Sequence, residues 1–329
     1  MTHFDVIVPI YRVQPDLVEE CLASVRNQTH EDWTCWIVDG TPLDWEHYET
    51  LSQMIDNFTS SDERFRLIRQ DFDQYPGVSG ARNQAIEAGD SSWIAFLDGD
   101  DWWFPENLGW VDEDLQDSHP DTVVSWTASK VEIELTSPKG WTRKSEHIAS
   151  HFDHDRLRQD LGHGYWFIMG HPPMTSQVVV RRDRFTEVKG FDQTLQMAED
   201  TECWIRMLGS PLESQPTYRF HQIDAVGGFH RLGDNQTING GLQTSASFNA
   251  TDPDAPDRDS AFDRFSTQVR SVIGSQHPRP DPNPPNDMDA DYWAWLRTAS
   301  GGIGRSRFLM GNDPNANQVD FDDGRQIWV

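Results

Sequence analysis

Lysine is nearly absent from this chain of 329 residues, in which four lysines stand beside 23 arginines. Asp and Glu together number 54, so the formal net charge is −27 at pH 7. A surface of one sign repels nucleic acid and anionic membranes, and neither is expected as a partner through bulk electrostatics. An Asp-rich, Lys-poor surface would instead suit a high-salt cytoplasm, where screening weakens the self-repulsion.

Long hydrophobic runs and paired cysteines are also lacking. No apolar stretch approaches the roughly 18 residues that a transmembrane helix needs, and residues 1–5 show no signal-peptide pattern. The three cysteines, Cys21, Cys35 and Cys203, have no metal-site spacing and predict reduced thiols. We therefore expect a cytoplasmic protein without a transmembrane segment, for which a peripheral membrane contact stays open.

The most informative stretch is a short apolar run, residues 93–97, that ends abruptly in Asp98, Gly99 and Asp100. So short a run with so sharp an end is typical of a buried strand. Two carboxylates one residue apart on a glycine turn can face one Mg²⁺ or Mn²⁺ ion. The chain holds nine Asp-x-Asp triplets among 38 aspartates, so the triplet alone does not indicate a metal site. The predicted strand before Asp98 distinguishes this triplet from the others.

Strand-like and helix-like patterns alternate along the first 110 residues. Strands are predicted at 4–11, 33–40, 65–68 and 93–97, and helices at 15–28, 44–58 and 79–89, with Ser79 as the N-cap of the last helix. This alternation predicts βαβ units and a mostly parallel sheet. Three of the strands end in a candidate ligand residue, namely Tyr11, Asp39 or Asp98, and ligands bind at the carboxyl edge of such sheets.

Five ordered motifs in this region resemble those of the family 2 glycosyltransferases. They span residues 6–11, 21–29, 37–40, 77–85 and 96–101. The resemblance covers residues 4–110, with further matches to about residue 237. It implies the GT-A fold, a Rossmann-like α/β fold whose mostly parallel central sheet is flanked by helices, and an inverting sugar transfer.

The resemblance also implies a role for each matching residue of the first half. Pro9 and Tyr11 would line the nucleobase pocket, and Asp39 would accept a hydrogen bond from the base. Arg82 would lie near the ribose or diphosphate, which suits a guanidinium. From the residues alone, Tyr11 could instead be a packed strand-end aromatic, and Arg82 could pair with surface carboxylates. Before the glycine of the motif at residues 37–40, the family often has two acidic residues, whereas this chain has only Asp39. The resemblance therefore indicates the identity of the nucleotide less firmly than it indicates the fold.

The acidic residues after the fourth predicted strand would bind the metal. By the resemblance, Asp98 would contact the ribose or the metal, and Asp100 would be the principal ligand of a Mn²⁺ or Mg²⁺ ion that bridges to the diphosphate. Asp101 fits better as a residue behind the ligands, or as a cap for a helix predicted at 105–115, than as a ligand itself.

A second acidic signature lies at residues 197–207. It resembles the family segment in which an acidic pair opens a helix, and the resemblance makes Asp200 the general base and Glu199 a neighbour that orients it or hydrogen-bonds. A base is needed to take the proton of the attacking hydroxyl. The alternative is that first-turn acids merely stabilise the helix N-terminus.

The remaining segments are less specific. Strands are predicted at 122–126, 130–135 and 177–182, and histidines and aromatics collect at 140–170, where sugar-stacking or plain packing are both open. Residues 228–237 resemble the family's segment that closes over the diphosphate, with His230 as an additional metal ligand, or Leu232 in that place. Residues 241–329 read as a linker and a C-terminal helical extension.

The sequence thus predicts a metal-dependent, inverting glycosyltransferase. Its donor would be a nucleoside diphosphate sugar, UDP-linked by family frequency, and its acceptor a glycan or lipid-linked hydroxyl of polysaccharide biosynthesis. We expect a nucleotide-sugar-binding half at 1–110, an acceptor-binding and catalytic half at 111–240, and a tail at 241–329. The alternatives are an inactive sugar-nucleotide-binding module and a nucleotidyltransferase, although residues 10–14 lack the basic, glycine-rich loop of the latter.

Overall fold

The computed structural model describes residues 1–136, 142–149, 173–195, 199–208, 218–232, 318–320 and 326–328. Most of the segment at 140–170 that collects histidines and aromatics lies outside these ranges. So do residues 197–198 and 233–237 of the family-like motifs, and nearly all of the predicted C-terminal helical extension.

The first half of the chain alternates strands and helices, as its sequence predicts. The strands are β1 (Phe4–Ile10), β2 (Trp33–Asp39), β3 (Phe65–Arg69) and β4 (Trp93–Phe96), and the helices are α1 (Pro15–Arg26), α2 (Tyr48–Ser61) and α3 (Gly77–Ala88). Strand β1 pairs in parallel with both β2 and β4, and β2 pairs in parallel with β3. The predicted βαβ arrangement is therefore confirmed.

The second half adds to the same sheet. Its elements are β5 (Trp102–Trp103), α4 (Asn107–Asp117), β6 (Thr122–Thr136), β7 (Thr142–Ala149), a 3-10 turn (Thr175–Gln177), β8 (Val178–Arg181), α5 (Arg182–Glu187), α6 (Glu199–Leu208) and β9 (Arg219–Leu232). The strand order is β3-β2-β1-β4-β8-β6-β9-β5, with β7 paired to β6. Two short strands, β10 (Gln318–Asp320) and β11 (Gln326–Trp328), pair with each other.

The direction of the strands decides which residues share an edge. Strand β8 runs antiparallel to both β4 and β6, and β6 runs parallel to β9. After these two reversals β6 and β9 point the same way as β1, β2 and β4. The C-terminal ends of all five strands therefore lie on one side of the sheet.

Helices cover both faces of this sheet, which explains why the central strands are continuous apolar runs. On one face Ile7 and Phe96 pack in a core cluster with Trp204 of α6 and residues of α3. On the other face Val6 and Val8 pack with α1, α2 and α4. Alternate residues of one strand point to opposite faces, so each central strand supplies both clusters.

Three element predictions were wrong in detail. Helix α3 begins at Gly77 with Pro76 in the N-cap position, so Ser79 lies within its first turn and is not the cap. This early start is possible because residue 80 is a glycine. A Cβ at this position would clash with the backbone of Tyr75. Asp101 does not cap α4, whose N-cap residue is Glu106.

The third error concerns a strand in the second half. The strands predicted at 122–126 and 130–135 are one strand, β6, and β9 pairs beside it on both sides of Ala128, where the register is irregular. Residues 228–232, the described part of the segment that resembles one closing over the diphosphate, continue strand β9 as far as Leu232. His230 therefore lies on strand β9.

All three cysteines are unpaired and buried, and burial raises the pKa of each thiol. This agrees with the prediction of reduced thiols. Within the described ranges, every helix is too short or too polar to cross a membrane.

Candidate active site

The ends of β1, β2 and β4 meet at the carboxyl edge of the sheet. The amide of Gly40 donates to the carbonyl of Ile10 at 2.9 Å, which joins the end of β2 to the end of β1. On the other side of β1, a Cβ on Gly99 would lie 3.1 Å from the carbonyl oxygen of Pro9. Glycine at position 99 therefore lets the turn of the acidic motif, defined here as residues 98–101, approach β1 closely.

Asp39 is held rigidly at the end of β2. It is buried, its Oδ1 accepts the amide of Thr41 at 2.8 Å, and its Oδ2 is paired with the guanidinium of Arg69. Arg69 also donates to the carbonyl of Thr41 at 2.7 Å. Sequence reasoning missed Arg69, although the parallel register of β2 and β3 places it directly opposite Asp39.

An exposed aromatic pair lies beside this carboxylate. Tyr11 is 53% exposed, and its ring centroid is 6.4 Å from that of Phe72 in an edge-on arrangement. The guanidinium of Arg12 lies 5.4 Å from the Tyr11 ring, and the Arg12 amide donates to the Thr41 hydroxyl at 3.1 Å. An aromatic this exposed is not a packed strand-end residue, and the part of its ring that Arg12 and Phe72 leave uncovered can contact a planar ligand.

Arg82 joins the two acidic signatures of the sequence. Its side chain is buried, and it donates to Asp98 Oδ1 at 2.7 Å and to Glu199 Oε1 at 2.9 Å. Burial disfavours its charge, but Asp98 and Glu199 outweigh burial and raise the pKa of the guanidinium. Arg82 does pair with carboxylates, as the alternative interpretation held, yet these are the candidate site residues rather than surface acids.

The acidic pair opens helix α6 beside Arg82. Burial, followed by repulsion from Asp200, raises the pKa of Glu199 against the opposing charge of Arg82. Asp200 Oδ2 accepts the hydroxyl of Thr175 at 2.8 Å, and its Oδ1 accepts the amide of Thr201 at 2.6 Å. Thr175 lies in the turn before β8, and nothing in the sequence marks it as a partner of a residue 25 positions away.

Asp101 forms the buried floor of the acidic motif. Its Oδ2 accepts the Ser176 hydroxyl at 2.5 Å and faces His230 Nδ1 at 2.7 Å, and its Oδ1 accepts the amide of Arg231 at 2.8 Å. The Ser176 oxygen in turn accepts the amide of Asp98 at 3.1 Å. Asp101 therefore lies behind the acidic motif, as the sequence predicts, and binds to β9 and to the turn before β8.

His230 lies at the same edge because β9 runs parallel to the central strands. Burial disfavours its charged form, but Asp101 first and then Asp100 and Asp98 outweigh burial and raise the pKa of its ring. Its Nε2 atom is buried and has no hydrogen-bond partner in the part of the chain that the structure describes.

These side chains fit a divalent cation only as part of a site. Across the described ranges, no three His, Cys, Asp or Glu side chains are arranged to hold a metal by themselves. Mg²⁺ and similar ions are commonly bound by one or two carboxylates and completed by substrate phosphates. Asp100, Asp98 and the unpartnered Nε2 of His230 suit such an incomplete donor set.

Comparison with known proteins gives a family match and several partial relatives. Residues 5–182 match the family model described as "Glycosyl transferase family 2". The succinoglycan biosynthesis protein ExoW of Rhizobium meliloti is 34% identical over 110 residues, which are 33% of this chain and 32% of that protein. The UDP-Glc:alpha-D-GlcNAc-diphosphoundecaprenol beta-1,3-glucosyltransferase WfgD of Escherichia coli is 29% identical over 103 residues, which are 31% of this chain and 37% of that protein. The chain spans about a third of the length of these relatives.

Solved structures share the fold at low sequence identity. The mannosyltransferase PcManGT from Pyrobaculum calidifontis, in complex with GDP-Man and Mn²⁺, matches with a TM-score of 0.51 and 14% identity over 94% of this chain and 79% of that chain. Residues 1–349 of S. aureus TarS, in complex with UDP-GlcNAc, match with a TM-score of 0.51 and 12% identity over 99% of each chain. This likeness confirms the GT-A fold.

Proposed function

The chain belongs to glycosyl transferase family 2, and from that premise we propose that it transfers a sugar from a nucleoside diphosphate donor to an acceptor hydroxyl with inversion at the anomeric carbon. One observation carries the proposal. The acidic motif and the start of helix α6 are distant in sequence, but both contact Arg82. This side chain donates hydrogen bonds to Asp98 and to Glu199.

The nucleobase would bind where β1 and β2 end. Tyr11 offers an exposed ring face for stacking, with Pro9 beside it. Asp39 has lone pairs beyond those used by Thr41 and Arg69, and can accept an N–H of the base. Uridine is favoured, because two of the similar proteins are named with UDP-sugars, while GDP-Man in a third makes guanosine the alternative.

Asp200 would act as the general base of a single in-line displacement. The acceptor oxygen attacks the anomeric carbon, the bond from that carbon to the diphosphate oxygen breaks, and the hydroxyl proton passes to Asp200. Thr175 holds one oxygen of Asp200 in place, and buried Arg82 holds Glu199 beside it. Attack opposite to the leaving group gives the inverted configuration.

A divalent cation would be held by Asp100, Asp98 and His230. When bound, Mn²⁺ or Mg²⁺ supplies charge that stabilises the leaving diphosphate. Arg82 donates to Asp98 and would hold that ligand in place.

The acceptor would be a glycan or lipid-linked hydroxyl of polysaccharide biosynthesis. The names of the relatives support this, since one acts in succinoglycan biosynthesis and another on a diphosphoundecaprenol-linked sugar. We place the protein in the cytoplasm because its cysteines are unpaired. A lipid-linked acceptor would bring it into peripheral contact with a membrane.

A sugar-nucleotide-binding module without catalysis is the second candidate. It would need the donor residues but not Asp200. Asp200→Asn therefore separates the two functions, because it keeps the shape of the side chain and removes the base.

We expect Asp200→Asn to lower the rate of UDP release from UDP-glucose or UDP-GlcNAc, assayed with alkyl glycosides as acceptors, by about 100-fold or more. Nucleotide affinity should stay unchanged. Asp183→Asn is the matched control, because Asp183 is also a first-turn acid, of helix α5. Equal small effects of both variants would mean that Asp200 serves only its helix N-terminus, and the catalytic proposal would fall.

A further inference from the structure

Asp101 is a fully buried carboxylate that the proposed reaction does not use. Three donors from two separate parts of the chain point at it: the Ser176 hydroxyl at 2.5 Å from the turn before β8, and His230 Nδ1 at 2.7 Å and the Arg231 amide at 2.8 Å from β9. A buried carboxylate is costly unless its lone pairs are satisfied, and here they are. Such complete bonding fixes the position of every group involved.

The contact with Asp101 decides the tautomer of His230. A carboxylate oxygen only accepts, so His230 Nδ1 must carry the proton that it donates. In the neutral ring the Nε2 atom then holds a lone pair. That atom is buried and unpartnered among the described residues, and the acidic residues Asp100 and Asp98 lie near enough to act electrostatically on the ring.

A second connection runs from Asp101 to the backbone of the acidic motif. The Ser176 oxygen that donates to Asp101 accepts the amide of Asp98 at 3.1 Å. Ser176 is held from behind by the indole of Trp103, which donates to the Ser176 carbonyl at 2.5 Å. One carboxylate thus positions both the His230 ring and, through Ser176, the backbone of the acidic motif.

We infer that Asp101 is a positioning residue, which fixes His230 in the Nδ1–H tautomer and thereby presents the Nε2 lone pair to a divalent cation bound with the donor diphosphate. The inference rests on the proposed donor site. Asp101 and Ser176 would not touch the ligand themselves, because both are buried behind the groups that would. Their role would be to hold those groups in position.

The first test measures Mn²⁺ binding in the presence of UDP by electron paramagnetic resonance. Asp101→Asn should weaken Mn²⁺ binding about 10-fold or more. The three donors bond to two carboxylate oxygens in the wild type, whereas asparagine offers them a single acceptor oxygen. The matched control is Asp112→Asn, a buried aspartate 3.8 Å from His30 that bonds to the amide of Thr2 at the opposite end of β1. It should leave Mn²⁺ binding unchanged.

A double-mutant cycle separates positioning from support of the fold. In the His230→Ala background, Asp101→Asn should weaken Mn²⁺ binding by much less than in the wild type, because only the route through Ser176 is left. The same loss in both backgrounds would overturn the inference. If the wild type binds no Mn²⁺ in the presence of UDP, both the proposed metal site and the inference about Asp101 fail. If Asp101→Asn binds Mn²⁺ as well as the wild type does, only the inference about Asp101 fails.

A spectroscopic signature is independent of metal and turnover. Long-range ¹H–¹⁵N spectra of the metal-free protein at a pH where the ring is neutral should show His230 as the Nδ1–H tautomer. Asp101→Asn should shift that signal toward a mixture of tautomers, whereas Asp112→Asn should not. An Nε2–H tautomer in wild type would contradict the inference directly. Thermal unfolding of each variant shows whether it is folded for these measurements.

Discussion

At the scale of the residue, Arg82 is the side chain on which the site depends most. It is buried between two carboxylates, at 2.7 Å from Asp98 and 2.9 Å from Glu199. These acids belong to segments more than 100 residues apart, so a single guanidinium joins the acidic motif to the start of helix α6. Its planar, forked shape allows it to serve two partners at once, which a lysine cannot do.

We expect Arg82→Met to lower the free energy of unfolding by about 3 kcal/mol, because removing one partner leaves the largely buried Glu199 uncompensated. Urea unfolding measures the loss. The control is Arg181→Met, which breaks an ion pair to the exposed Asp183 and should cost at most about 1 kcal/mol. Equal losses would show that the ion pairs of Arg82 stabilise the fold no more than a surface ion pair does, and would contradict the prediction.

At the scale of the element, close packing around strand β9 fixes the second half of the sheet. Gly227 of β9 lies against the hydrogen-bonded side chains of Asn107 and Thr127, which are 2.9 Å apart and come from α4 and β6. A Cβ at position 227 would overlap both side chains. A glycine is therefore required where helix, strand and strand meet.

Gly227→Ala should lower the free energy of unfolding by about 1–3 kcal/mol, since neighbours on both sides must shift. Gly109→Ala in helix α4 is the control, because its Cβ would make only an ordinary contact with Thr29. That variant should raise stability by up to about 1 kcal/mol. Denaturant unfolding of both proteins checks the prediction, which a neutral Gly227→Ala would contradict.

The sequence predicted the elements whose physical causes are local. Strands such as β4 were recognisable because an apolar run buried on both faces ends in carboxylates, and the ends of parallel strands meet at one edge. The insertion of β8 between β4 and β6 was not recognisable, because pairing partners far apart in the chain leave no periodic signal. The continuity of β6 was missed for the same reason.

The candidate site divides in the same way. Asp39, Asp98, Asp100 and Asp200 could be proposed from the sequence because each lies at the end or the start of an element within a recognisable motif. Their supporting residues, Arg69, Thr175 and Ser176, were missed because each contact crosses between segments distant in sequence.

At the scale of the whole molecule, one sheet runs through both predicted halves. Strand β8 lies beside β4, and Arg182, which follows β8, donates to Asp5 Oδ2 at 2.6 Å at the beginning of β1. The boundary predicted at residue 110 stays a prediction. The described elements on either side of it share a continuous hydrogen-bonded sheet.

The charge of −27 predicts a salt requirement. Because like charges repel across the surface and salt screens them, Tm should rise as KCl increases from about 0.05 M to 2 M. A sucrose series of equal osmolality controls for general solute effects. Full stability at low salt, with no further gain, would remove the inference of a high-salt setting.

The most direct test of the central claim is a thermal-shift titration with UDP, GDP, CDP and dTDP, each with and without Mn²⁺. We expect one nucleotide, UDP in the first place, to raise Tm of the wild type only when Mn²⁺ is present, and Asp100→Ala to abolish that rise. Asp114→Ala is the control, because Asp114 belongs to another Asp-x-Asp triplet and pairs with His221 near the beginning of β9, away from the carboxyl edge. It should retain the response. No shift with any nucleotide, at low or at high KCl, would contradict the donor site and with it every role assigned to its residues.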